Sequence, residues 1–236
     1  MDVLVGDTAF ARFVAAHLGD DDFTLIDVGC SGGLMAGWRA FGDRLRAVGF
    51  DADPAECARL AATEPSAKVR YVAGLVGSPP DHRFLRARAG RPALPGNPWA
   101  RLSVARSVQI RQAATPANIA AGSASPLEPP AAIVLPDFLA AIGFDDVDFI
   151  KIDVDGDDLA ILHTLDDTLA QAGVLGVGLE VNFFGTDDAT DHSFHNPDRF
   201  MRQAGYDLFG LTVRRYSMAA LPSRSKFSFP AETRPG

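Results

Sequence analysis

Apolar positions along the chain alternate between two patterns: short uninterrupted runs, and longer stretches with helical spacing. Asp7 to Leu18 places Phe10, Phe13, Val14 and His17-Leu18 roughly on one face, which predicts an amphipathic helix. Thr24-Leu25-Ile26-Asp27-Val28 is a short apolar run ending at glycines, the pattern of a buried parallel strand. A helix is expected over Leu34 to Leu45 and a second strand over Arg46 to Asp51. Asp53-Pro54 supplies an N-cap acid followed by a first-turn proline, so a third helix runs from there to about Ala62. Val69 to Ala73 reads as the third strand. After a long interruption the pattern resumes: a short helix over Pro136 to Ile142, a strand over Val147 to Val154 and a helix over Asp157 to Ala172. Then come a strand over Val174 to Phe183, a helix over Asn196 to Ala204 and a sixth strand over Tyr206 to Tyr216.

Strands that alternate with helices imply a parallel sheet covered on both faces. The expected fold class is therefore α/β: a doubly wound, mostly parallel sheet. The interruption, residues 78–130, is rich in proline, with Pro79-Pro80, Pro92, Pro95, Pro98, Pro116, Pro126 and Pro129-Pro130. A structureless stretch of that length inside a domain calls for a function. It is read as an insertion between strands three and four, with a helix near Trp99 to Arg111, able to serve as a substrate lid. The whole chain, 1–236, is read as one domain carrying that insertion.

Composition narrows the classes. Hydrophobic residues make up 47% and charged residues 22%, ordinary for a globular domain with a large core. The two cysteines, Cys30 and Cys57, form no C-x-x-C pair, which argues against a disulfide framework or zinc site and fits a reducing, cytoplasmic setting. The start of the chain is acidic and not a signal peptide, and no apolar run is long enough to span a membrane. A net charge of -8 repels phosphate backbones, so nucleic acid is not an expected partner. Arg83, Arg86, Arg88 and Arg91 form one local basic run, read as a solvated helix face.

Ligands of open α/β sheets bind beyond the carboxyl ends of the strands. After strand one stands Asp27-Val28-Gly29-Cys30-Ser31-Gly32-Gly33. Small residues there let the backbone approach a ligand. A dinucleotide fingerprint would carry glycine where Asp27 stands. An acid there repels a pyrophosphate and suits a ligand with an ammonium group, which favours S-adenosylmethionine over a nicotinamide cofactor. Asp51 ends strand two, 24 residues after Asp27, where a carboxylate can accept both ribose hydroxyls. Ala73 and Gly74, at the end of strand three, are counted with the cofactor-binding residues. After strand four, Ile150-Lys151-Ile152-Asp153-Val154-Asp155-Gly156-Asp157-Asp158 holds four acids, and alternation puts Lys151, Asp153 and Asp155 on one face. Asp157 and Asp158 suit the start of the next helix. No metal site is expected, although Asp153 and Asp155 could hold a divalent cation.

These three segments together resemble the FkbM-type methyltransferase family, whose pattern at the third reads roughly I-K-I-D-V-E-G-x-E. Asp155 and Asp158 stand here for its two glutamates. Leu135-Pro136-Asp137-Phe138-Leu139 resembles the family's T-L-D-x-L segment. Leu179-Glu180-Val181 is similar to its fifth-strand ending, and Gly205-Tyr206-Asp207-Leu208 to its G-Y-x-L. The resemblance implies a Rossmann-like methyltransferase fold and methyl transfer from S-adenosylmethionine to an oxygen, commonly a sugar or polyketide hydroxyl. It implies cofactor contacts at Asp27, Gly29, Cys30, Ser31, Gly32, Asp51 and Asp153. A hydroxyl needs a base, and the candidates are Asp153, Asp155, Glu180, His192 and His195; His163, deeper in a helix, is read as a packed or surface residue. The family usually closes its sheet with a seventh, antiparallel strand. No good candidate for it follows Tyr216, beyond weak pairing by Phe227-Ser228-Phe229. Two other readings stand beside the enzyme: a non-catalytic methyltransferase-like binding module and a nicotinamide-dependent oxidoreductase.

Overall fold

The computed structural model describes residues 9–77, 133–144, 146–154, 158–171, 173–183 and 187–213. The insertion expected over 78–130, its helix near Trp99, and Asp155 and Asp157 lie outside the described residues. A helix α1 (Ala9–His17) leads into strand β1 (Phe23–Val28), a 3-10 helix (Ala36–Arg44), β2 (Leu45–Asp51), α2 (Pro54–Thr63) and β3 (Val69–Ala73). After the insertion come α3 (Leu135–Ala141), β4 (Phe149–Ile152), α4 (Asp158–Thr164), α5 (Asp166–Gln171), β5 (Gly176–Leu179) and α6 (His195–Gln203).

The five strands form one sheet in the order β3-β2-β1-β4-β5, and every pair is parallel. This is the Rossmann-like α/β fold. Strand order reverses beside β1, so the crevice between the carboxyl ends of β1 and β4 is the topological switch point. All six residues of β1 are buried, as a central strand covered on both faces requires. Alternation divides the core. Ile26, Val28, Val48, Phe50, Ile150 and Ile152 pack with α3, α4, α5 and Phe200 of α6. Phe23, Leu25, Leu45, Ala47 and Val69 pack on the other face with Leu34, Trp38 and Phe41. Asp27 and Lys151 continue that second set of positions, so they share a face.

Three expectations change. The helix expected over Leu34 to Leu45 is a shorter 3-10 helix, interrupted by Gly42 at φ 55°. Its buried residues, Trp38 and Phe41, are three apart, the 3-10 period. The long helix expected from Asp157 is two helices. Thr164 Oγ1 donates to Ile161 O at 2.6 Å, offering the backbone a competing partner, and Asp166 and Asp167 start α5 as first-turn acids. The sixth strand is not formed over residues 206–213, which join no ladder. Leu208, Phe209, Leu211 and Val213 are exposed there, with Phe209 at 81%. A strand needs a neighbour for its backbone groups, and among the described residues none pairs with this segment, although Tyr206 OH donates to Val174 O at 2.7 Å.

Candidate active site at the carboxyl ends of the strands

The β1 turn is built by backbone contacts. Gly29 and Cys30 both donate their N–H groups to Phe50 O, at 2.9 and 3.0 Å, tying the turn to the end of β2. Asp153 N–H donates to Val28 O at 2.9 Å, tying β4 to β1. Gly29 sits at φ 85°, and a Cβ there would fall 1.9 Å from the carbonyl oxygen of Asp153. Only glycine fits. Cys30 is buried and lies over Gly49, whose own Cβ would come within 2.9 Å of the Cys30 sulfur. Burial, and next the charge of Asp27, push the Cys30 thiol up to about 12, so it stays protonated.

Asp27 is 1% exposed. Its Cα neighbour across the ladder is Lys151, whose Nζ lies 2.9 Å from Asp27 Oδ1. The same Nζ donates to Gly29 O at 2.9 Å and stands 3.6 Å from Asp153 Oδ2. Burial raises the Asp27 pKa, and Lys151 only partly offsets it. Burial works to lower the pKa of Lys151, but Asp27 and then Asp153 outweigh it, and the net direction is up. Asp153 itself is 47% exposed.

The end of β2 carries Asp51. Its Oδ1 accepts from Asp53 N–H at 2.8 Å, and Asp53 in turn caps α2 by accepting from Ala55 N–H at 2.8 Å. The second oxygen of Asp51 has no hydrogen bond among the described residues. Ala73 is the ladder neighbour of Asp51, and Gly74 N–H donates to Asp51 O at 2.8 Å. A Cβ on Gly74 would meet Ile133 Cδ1 at 2.4 Å, so the Ile133 side chain would have to shift to admit it. Gly32, at φ 85°, gives its N–H to Glu56 Oε1 at 2.8 Å. The Arg59 guanidinium and then that N–H hold the Glu56 carboxyl down at about 2.

A second cluster lies beyond β4 and β5. Asp158, the first residue of α4, is buried and accepts from Val154 N–H at 3.1 Å. His192 Nε2 lies 3.7 Å from Asp158 Oδ2, while His192 Nδ1 is buried with no hydrogen-bond partner among the described residues. The loop bearing His192 is anchored by buried Asn196, which donates to Asp188 O at 2.8 Å and Asp191 O at 2.7 Å. It returns beside the end of β5 through a parallel bridge between Asn182 and Ser193. Ser193 Oγ and His195 Nδ1 are 3.1 Å apart.

Residues 98–208 match the family model for the methyltransferase FkbM domain. That match supports a methyltransferase. It contains β4, β5, the His192 loop and α6, whereas β1 and β2 precede it. No curated protein matches the chain.

The structure brings Asp27, Gly29 and Asp153 together about Lys151, and His192 together with Asp158. Asp51, Ala73 and Gly74 form a neighbouring group at the ends of β2 and β3. Ser31 is exposed in the turn, and Glu180 is exposed at the end of β5. His163 packs its ring against Phe200 at 4.4 Å between centroids. Among the described residues no three His, Cys, Asp or Glu side chains gather as a metal site would require, and no helix is long and apolar enough to cross a membrane. Sequence reasoning did not assign a partner to Lys151 or to Asp158. Alternation put Lys151 and Asp153 on one face, but nothing in the sequence showed that Asp27 would be the buried partner.

Proposed function

We propose that the chain is an S-adenosylmethionine-dependent O-methyltransferase, acting in the cytoplasm on a sugar hydroxyl of a glycan, glycolipid or natural product. The observation that carries this reading is the FkbM-domain match seated on a parallel sheet whose switch point holds the Gly29 turn beside Asp51 and Asp153. The cytoplasmic setting is supported by two buried free cysteines.

The residues present fit the cofactor. Asp51 is fixed through one oxygen and keeps the other for a ribose hydroxyl. Cys30, with a buried neutral thiol, and Gly29, Ser31, Gly32, Ala73 and Gly74 offer backbone and small surface to the adenosine and its linker. Asp153 offers a carboxylate to the amino-acid end, and Asp27 lies behind it. When bound, the cofactor supplies an electrophilic methyl group on a cationic sulfur.

The chain's own part is to orient the acceptor oxygen and take its proton. With the cofactor bound there, the acceptor oxygen would take the methyl, and the hydroxyl proton would pass to a base supplied by the chain. Glu180, His192 and His195 are assigned to the acceptor side, and Asp153 to the cofactor. Of these, His192 has a carboxylate, Asp158 Oδ2, at 3.7 Å from Nε2, placed to stabilise the imidazolium once the proton arrives. The insertion over 78–130 is assigned the role of covering the acceptor.

The test is mass spectrometry on a panel of glycosides incubated with the protein and isotopically labelled S-adenosylmethionine. The reading expects transfer of the labelled methyl to an acceptor hydroxyl, with loss of transfer in Asp51→Ala. Cofactor binding without transfer to any glycoside would move the reading to a non-catalytic binding module.

A further inference from the structure

Two carboxylates, Asp27 and Asp153, stand at the switch-point crevice, and their surroundings separate their roles. Asp27 is buried and already carries an ammonium, that of Lys151, at 2.9 Å. Lys151 donates to the Gly29 carbonyl at 2.9 Å and stands as an ion pair, not an aligned hydrogen bond, 2.9 Å from Asp27 Oδ1. Asp153 lies half exposed on the same edge, 3.6 Å from Lys151. Its backbone touches the Gly29 turn so closely that no Cβ fits between them.

Resting on the cofactor reading above, we infer that Lys151 is a positioning residue that serves as the internal counter-cation of Asp27, and that Asp153 receives the ammonium of the cofactor's amino-acid end. Asp27 is 1% exposed and out of reach of a ligand ammonium. Asp153 presents a 47% exposed carboxylate, and Lys151, at 3.6 Å from it, is too far for a hydrogen bond. Lys151 also holds the Gly29 carbonyl, so it shapes the turn on which the ligand rests. The acid that ends β1 is thus structural, and the acid that ends β4 reads the ligand.

Calorimetric titration with two ligands separates these roles. S-adenosylhomocysteine carries the amino-acid end; 5′-methylthioadenosine keeps the nucleoside and lacks it. In the parent protein the first should bind more tightly. Asp153→Asn should weaken S-adenosylhomocysteine by roughly 10- to 100-fold, the worth of a charge-assisted hydrogen bond, and leave 5′-methylthioadenosine within about twofold. Asp27→Asn alone strands Lys151 and could unfold the protein. The double variant Asp27→Asn with Lys151→Met removes both charges together, and it should fold and still prefer S-adenosylhomocysteine. A preference that survives Asp153→Asn and vanishes in the folded double variant would overturn the inference. So would equal binding of the two ligands by the parent, which would leave the nucleoside reading standing. Binding of neither ligand by folded parent would remove the cofactor reading itself.

Discussion

Gly29 is where a single side chain would do most harm. Its φ of 85° alone costs a non-glycine residue about 1–3 kcal/mol, and the Cβ clash with Asp153 O adds to it. Gly29→Ala should lower the urea midpoint by more than that strain alone implies. Lys151 is the second sensitive position. Lys151→Met leaves Asp27 buried without its cation and should cost about 3–5 kcal/mol near neutral pH. The sign with pH follows from Asp27, whose pKa is raised by burial above its ordinary 3.8 and rises further without Lys151. The folded variant then binds a proton that the unfolded chain releases, so its stability falls as pH rises from the ordinary carboxyl range through the raised value. The deficit relative to the parent, measured by urea unfolding, should be smaller at about pH 5 than at about pH 8. A deficit that grows on acidification would contradict this. Gly29 and Asp27 stood out in the sequence because glycine and acid at the end of an apolar run are unusual. Their partners did not, because Lys151 lies 124 residues after Asp27, and only the parallel register puts the two opposite each other.

At the scale of elements, capping signals were the most legible. Asp53-Pro54 marked the start of α2, and Asp53 indeed accepts from Ala55 N–H. Asp53→Ala should cost about 1 kcal/mol, read as a shift in thermal unfolding. In the loop bearing His192, Asn196 joins Asp188 and Asp191 through two bonds to the backbone that were not legible from its position at a helix start. Asn196→Ala should cost about 1–3 kcal/mol and raise amide exchange selectively over residues 187–196. Unchanged exchange there would show that other contacts hold the loop. Helix lengths were overread where a local competitor intervenes: Gly42 interrupts the 3-10 helix, and Thr164 separates α4 from α5. Hydrophobic spacing does not register such breaks, because the buried positions on both sides keep facing the sheet.

Across the whole molecule, the order of elements was readable because strands that alternate with helices admit few arrangements. The strand order β3-β2-β1-β4-β5 places the reversal beside β1, which is why motifs far apart in sequence meet at one edge. The sixth strand was overread for a reason at this scale: apolar residues alone do not make a strand without a neighbour to pair with. The FkbM-domain match covers residues 98–208, with β4 and β5, and in the proposed reading the Gly29 turn and Asp51, outside that match, supply the rest of the cofactor site. The central claim is that this composite edge binds an adenosyl cofactor carrying an amino acid. Isothermal titration calorimetry with S-adenosylhomocysteine, with NAD in parallel and Asp51→Ala as control, tests it most directly. The account predicts saturable S-adenosylhomocysteine binding, weakened at least about tenfold in Asp51→Ala, and no binding of NAD. NAD binding, or no S-adenosylhomocysteine binding by demonstrably folded protein, would contradict it.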